Sequence, residues 1–215
     1  MKRRAFFVLL IAALILAPVP AMAHISFSGM TLEELYAARI QLDKTIAALE
    51  RQNGQRMYES GGYLVGRDIP AGDYVIFEKD DAVFASVTIR SGEAEDTDLL
   101  TYQLINRQAV IRLEPDTWFT LSECRACPIS QVDSVLDENG HAGEGGYPMG
   151  ALLPEGSYSV TPMEKAPLAS YSIYGGILGT GAQLLKFEVL HDAVTLDLTD
   201  GDYIVLSGCE LTLNP

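Results

Sequence analysis

The chain has 215 residues, 48% hydrophobic and 20% charged, with a formal net charge of −14. That composition excludes a disordered chain and indicates a globular one. An acidic surface repels phosphates and anionic bilayers, so neither nucleic acid nor a membrane surface is expected as a partner.

Residues 1–23 have the form of an export signal. Lys2-Arg3-Arg4 precede an apolar stretch, Ala5 to Ala17, and Ala21-Met22-Ala23 has the small-x-small pattern of a cleavage site. The apolar stretch is shorter than the roughly 20 residues of a membrane-spanning helix. The expected product is a secreted, extracellular chain that begins at His24 and keeps no membrane span. Removal of the signal takes Lys+Arg from 15 to 12 against 29 Asp+Glu, a net charge of −17.

Residues 24–56 are predicted to carry one amphipathic helix. Thr31-Leu32-Glu33-Glu34 is a capping box, in which the Thr hydroxyl and the Glu34 carboxylate satisfy each other's amides. Leu32, Leu35, Arg39, Leu42, Ile46 and Leu49 then recur at spacings of three and four. The stripe covers only about three heptads, marginal for an independent coiled coil. Arg39 interrupts it, so docking on the chain's own β domain or weak self-association through residues 31–53 is expected rather than a strong coiled coil.

From Met57 onward the sequence turns to short β runs rich in β-branched and aromatic residues: Tyr63-Leu64-Val65, Tyr74 to Phe77, Phe84 to Ile89, Leu99 to Ile105, Val110 to Leu113 and Trp118 to Leu121. The pattern then repeats. YLVGRDIPAGDY at 63–74 and YPMGALLPEGSY at 147–158 share five of twelve positions at a shift of 84: Tyr63/Tyr147, Gly66/Gly150, Pro70/Pro154, Gly72/Gly156 and Tyr74/Tyr158. Ala85 to Ile89 falls on Ala169 to Ile173 at the same shift. After one inserted position, Trp118 to Cys124 falls on Tyr203 to Cys209. Such self-similarity predicts two copies of one unit. The expected fold is mainly β: two tandem small β-sandwich or barrel-like domains, residues 57–127 and 147–215, preceded by one amphipathic helix. Residues 128–146, rich in Gly, Asp and Glu, are expected to form a flexible acidic linker.

The repeated Gly66, Pro70, Gly72 and Tyr74, with Gly150, Pro154, Gly156 and Tyr158, suit a structural turn. Pro fixes φ at the first central position, Gly supplies positive φ two residues on, and Tyr opens the next strand. Val65-Gly66-Arg67-Asp68-Ile69-Pro70-Ala71-Gly72-Asp73-Tyr74 resembles a phrase of exported proteins of Firmicutes, many from clostridial gut lineages. In those proteins it opens a small β domain that ends in a Gly-Asp-Tyr hairpin, which Gly201-Asp202-Tyr203 resembles; the Leu32 to Leu35 helix start is similar too. The likeness covers nearly all of the chain after the signal. It implies export and a β domain and brings no catalytic residues. The second copy departs from the phrase, with Ala151-Leu152-Leu153 in place of Arg-Asp-Ile, so a role of Asp68 would not be shared.

Cys124 and Cys127 are the sharpest candidates for chemistry. They admit a local disulfide, a redox pair or half of a zinc site. Buried thiols or a structural disulfide rank first. Pro128 follows at once and no helix is expected after it, as a thioredoxin-like site would need, and His141 and Cys209 are the only further zinc ligands in view. Cys124 and Cys209 occupy equivalent repeat positions, which suits small buried hydrophobes. The acidic segment Asp133 to Glu144 lacks the ligand order of a calcium loop. His24, His141 and His191 accompany no recognisable nucleophile motif. No cofactor, metal or catalytic residue is therefore assigned. The expected function is a secreted non-enzymatic binding module for a glycan, a cell-wall polymer or a protein partner. The alternative is an assembly protein acting through its helix and tandem domains. An exposed aromatic strip on both domains would favour the first, and an exposed Leu stripe on the helix the second.

Overall fold

The computed structural model of the chain describes residues 29–52, 56–179 and 181–214; the expected signal segment lies outside the described residues. Contacts divide the chain into two compact units, Met1–Thr45 and Ile46–Pro215. The one helix among the described residues, α1 (Leu32–Gln52), starts as the capping box predicts. The Glu34 amide donates to Thr31 Oγ1 at 3.3 Å and the Thr31 amide donates to Glu34 Oε2 at 2.8 Å. These bonds hold the exposed Glu34 carboxyl below its ordinary range.

Residues 57–214 are β. The first copy has seven strands: β1 (Gly61–Leu64), β2 (Gly72–Glu78), β3 (Ser86–Ser91), β4 (Leu99–Leu104), β5 (Gln108–Leu113), β6 (Thr117–Ser122) and β7 (Cys124–Pro128). After a short 3-10 turn at Ile129–Gln131 and β8 (His141–Ala142), the second copy supplies β9 (Gly145–Pro148), β10 (Gly156–Pro162), β11 (Ala169–Gly175), β12 (Gln183–Leu190), β13 (Val194–Leu198), β14 (Asp202–Ser207) and β15 (Cys209–Leu213). The sheets follow β1-β6-β3-β4 with β5-β2-β7, and β9-β14-β11-β12 with β13-β10-β15-β8. All of these pairings are antiparallel, and strand for strand the two topologies are the same apart from β8. The first copy is thus a four-on-three sandwich, the second matches it with β8 added to its smaller sheet, and the sheets do not close into barrels.

The likeness extends to irregularities. In each copy the pairing of the third and fourth strands slips at the same point, between Ile89 and Arg90 and between Ile173 and Tyr174. Asp116 and Gly201, at equivalent hairpins, both have positive φ (58° and 91°). So do Glu123 and Gly208 (54° and 62°), the single residues through which the chain leaves one sheet for the other. Glu123 uses its side chain there, its Oε2 accepting from the Val83 and Phe84 amides at 2.7 and 2.8 Å. At Gly208 a Cβ would run into the Leu168 carbonyl, so the second copy tolerates no side chain.

Two apolar cores form. The second is built from the second copy's own strands together with Ala142. The first takes in the first copy and also Leu152, Leu178 and Tyr203 of the second. The reason is written across the three-stranded sheet of the first copy. Val110, Val75 and Cys127 lie side by side in register on its outer face and are fully buried. Tyr203 supplies the cap, its hydroxyl accepting from the Val110 amide at 2.8 Å, and the Arg112 amide donates to the Leu178 carbonyl at 2.8 Å. The open edge of β5 is therefore satisfied by the second copy, as buried backbone groups require.

The 128–146 segment differs from the expected flexible linker. Val132 and Val135 pack against the first core, Val135 and Leu136 against the second, and β8 pairs with β15. Its few apolar side chains are enough to seat it, and Asp137 ties down the Gly-rich part by accepting from the Asn139 and His141 amides at 2.8 and 2.9 Å.

Candidate binding surface

The repeated turn is a self-contained structural device. Tyr74 and Tyr158 each donate from the phenol to the carbonyl four residues back, Pro70 at 2.9 Å and Pro154 at 2.5 Å. Tyr63 and Tyr147 do the same, to Glu59 at 2.6 Å and to Gly143 at 2.9 Å. The left-handed residue common to both copies is Gly66 (φ 98°) and Gly150 (φ 79°), whose amides donate to Ile69 and Leu153. The expected role of the second glycine is not shared: Gly72 has φ 147°, whereas Gly156 does not have positive φ. Tyr147 is deeply enclosed, and burial pushes its phenol up to about 12.

Asp68 and its counterpart Leu152 do opposite jobs. Asp68 Oδ2 accepts from the Leu64 amide at 2.9 Å and pairs with Arg67, which lowers its pKa. Leu152 is buried in the first core and belongs to the contact between copies. The departure of the second copy from the phrase is thus a packing requirement.

All three cysteines are buried, and none is in a disulfide among the described residues. Cys124 and Cys209 sit at equivalent points, and each donates weakly to a strand carbonyl, that of Ser86 at 3.7 Å and that of Ser170 at 3.2 Å. Burial pushes the Cys124 thiol up to about 11 and raises Cys209 as well. A raised thiol pKa opposes nucleophilic or redox use. Cys127 belongs to the face that packs against the second copy. Among the described residues, no group of three or more His, Cys, Asp and Glu is placed to hold a metal ion. No helix there is long and apolar enough to cross a membrane.

What the sequence reading did not single out is a surface. β4 and β12 are end strands of the equivalent sheets β1-β6-β3-β4 and β9-β14-β11-β12. Each exposes the same row: Leu99, Leu100, Tyr102 and Leu104 in the first copy, Leu184, Leu185, Phe187 and Val189 in the second. Tyr102 is 57% exposed and Phe187 59%, far from the burial of a core ring. In both strands Leu-Leu falls at the slip in register, so that Leu100 and Leu185 are the extra residues. The rings lie opposite small hydroxyl residues, Thr88 and Ser172, so each stands above a low polar floor. Phe84 and its counterpart Leu168 are exposed too, and Leu168 lines an open groove of about 590 Å³ with Met163, Pro167 and Glu144. The signal was present in the sequence as Leu-Leu-Thr-Tyr-Gln-Leu against Leu-Leu-Lys-Phe-Glu-Val, one residue beyond the shift of 84.

Trp118 and Tyr203 are equivalent but differently used. Gly62 and Gly146 leave room for them, since a Cβ on either would strike the opposing ring. Tyr203 is fully buried, whereas Trp118 is half-buried and its enclosed Nε1 has no hydrogen-bond acceptor among the described residues. On α1, Leu32, Tyr36, Ile40 and Leu42 are all more than half exposed, while Leu35 is half-buried. The side chains of Ile46 and Leu49, the rest of the predicted stripe, lie outside the described residues. Comparison with protein-family models and with curated proteins finds no match to this chain.

Proposed function

We propose that the chain is an exported, non-enzymatic binding protein that takes a repeating surface polymer, a glycan or cell-wall polymer, on the apolar strips of β4 and β12. The carrying observation is that the two copies leave large apolar side chains uncovered at the same four positions. Scattered exposed apolar residues need no explanation, but a contiguous row that survives duplication does. Ring faces beside hydroxyls suit a ligand with apolar faces and polar edges. Two equivalent strips suit a ligand that repeats, because the second contact becomes intramolecular once the first is made. The acidic surface argues for a neutral or cationic polymer rather than a polyanion.

The test is binding of residues 24–215 to a panel of cell-wall polymers and glycans. Tyr102→Ala and Phe187→Ala should each weaken saturable binding to one polymer class. The double variant should lose the avidity gain, about 10²-fold or more. Absence of binding across the panel by a folded protein, or binding indifferent to both substitutions, would sink this reading.

A second reading has its own observation. The exposed Leu32, Tyr36, Ile40 and Leu42 of α1 support association through the helix. A Leu42→Asp variant that lowers the oligomeric mass in sedimentation while leaving polymer binding intact would favour it.

A further inference from the structure

We propose that β12 is a self-pairing edge, through which two copies of this chain join antiparallel across a two-fold axis centred on Phe187, making one continuous eight-stranded sheet. β12 ends its sheet among the described residues, and Leu184 to Phe187 are exposed without interruption. An eight-residue edge of this kind is an open template for another strand. The identity of the occupant comes from the order of its side chains. With Phe187 facing its own counterpart, Leu185 lies opposite Val189 and Lys186 opposite Glu188, in both directions at once. Apolar therefore meets apolar on one face and cation meets anion on the other, as a two-fold contact between identical surfaces requires. Gln183–Leu190 carries one Lys and one Glu and is locally neutral, although the whole chain has a net charge of −14.

The equivalent edge in the first copy is arranged differently. β4 has the uncharged Thr101 and Gln103 in place of Lys186 and Glu188, and the second copy reaches it, Thr101 Oγ1 donating to the Gly179 carbonyl at 3.3 Å. Among the described residues no equivalent bond reaches β12, which ends its sheet. Within one chain Lys186 Nζ lies 2.9 Å from Glu188 Oε2, and Tyr171 donates to the same oxygen at 2.6 Å. The charges are thus held on the edge in the positions the pairing uses. Pairing along the edge leaves the face open, and it sets the two Leu185-Phe187-Val189 rows side by side. The proposal stands independently of polymer binding, since self-association is measured without ligand.

The test is sedimentation equilibrium on residues 24–215, with Lys186→Glu, Glu188→Lys and the double exchange, each checked for an unchanged far-ultraviolet spectrum and melting profile. Each single exchange sets like charges opposite and should weaken dimerisation at least ten-fold; the double exchange should restore it. Phe187→Cys provides a second route, because residues directly opposite across strands lie about 4.5–5.5 Å apart between Cα atoms. That separation is within the span of a disulfide, about 4.4–6.8 Å. Mild oxidation should link Phe187→Cys into a covalent dimer and leave Tyr102→Cys monomeric. A monomeric wild type at tens of micromolar, a dimer indifferent to the charge exchanges, or cross-linking at position 102 instead of 187 would each overturn the proposal.

Discussion

Replacing Tyr203 by Phe removes one oxygen and tests whether the two copies fold as one body. The phenol is fully buried and is the acceptor for the Val110 amide at 2.8 Å. Its loss leaves an N–H on the edge of β5 unpaired, beside the buried row Val75, Val110 and Cys127. An unsatisfied buried donor costs about 1–3 kcal/mol. For a β body of this size each kcal/mol moves the melting midpoint by roughly 2–4 °C, so a fall of roughly 2–12 °C is expected. Tyr158→Phe is the control. Its hydroxyl donates to the Pro154 carbonyl, and a carbonyl left under-satisfied is tolerated better than an orphaned N–H, so its fall should be the smaller. Calorimetry gives the midpoint and the number of transitions, and hydrogen exchange reads the Val110 amide directly. The expected result is one cooperative transition, lowered by Tyr203→Phe, with lost protection at Val110. Two separate transitions in the wild type, or unchanged protection at Val110 in the variant, would refute the argument.

Three further outcomes follow from the same geometry. Gly146→Ala should cost about 1–3 kcal/mol by overpacking, since the new methyl strikes the immobile Tyr203 ring, whereas Gly62→Ala should cost less because the half-buried Trp118 can shift; urea denaturation midpoints measure both. Leu152→Asp, which writes the first copy's residue into the second, buries a carboxylate in the first core and should abolish the folded state at 37 °C, as circular dichroism would show. A colorimetric thiol reagent at pH 8 should find none of the three cysteines in the folded protein and all of them in denaturant. The Cys124 thiol is raised from 9.0 to about 11, so the folded state keeps it neutral after the unfolded chain has begun to ionise. Its contribution to stability is full below about pH 9 and is lost as the pH rises towards about 11, which a pH series of denaturation midpoints would register.

The architecture was legible because duplication doubles the signal. Six strands of the first copy follow from β-branched runs bounded by turns, and the second copy confirms the turns at equivalent positions. β7 escaped notice. Cys124-Arg125-Ala126-Cys127 reads as chemistry, yet the structure makes it a strand whose alternate side chains serve the first copy's core and its contact with the second. Helix capping was legible to the atom, because Thr31 and Glu34 meet within one turn. Exposure of β4 and β12 was not, since Leu, Tyr and Phe in alternation look the same whether the face they line is covered or bare. Only the strand order, which puts both at sheet ends, separates the two cases.

The contact between copies leaves a mark that a self-comparison of the sequence carries in full. In the first copy the register row Val110, Val75 and Cys127 is apolar; in the second the same row is Thr195, Ser159 and Thr212. Phe77 and Arg125 likewise become Thr161 and Glu210. Strand pairing alone asks for none of these changes, because the sheet hydrogen bonds are the same in both copies. They follow from what lies against the sheet: the second copy's Tyr203 in one case, and in the other a partly open face where Thr195 is exposed and Ser159 donates to Asn214. A stacked array of identical units has to end on a polar face, or its last unit would recruit another without limit. Growth by stacking is closed at this face, and the open edge of β12 is left as the place where a second chain can add.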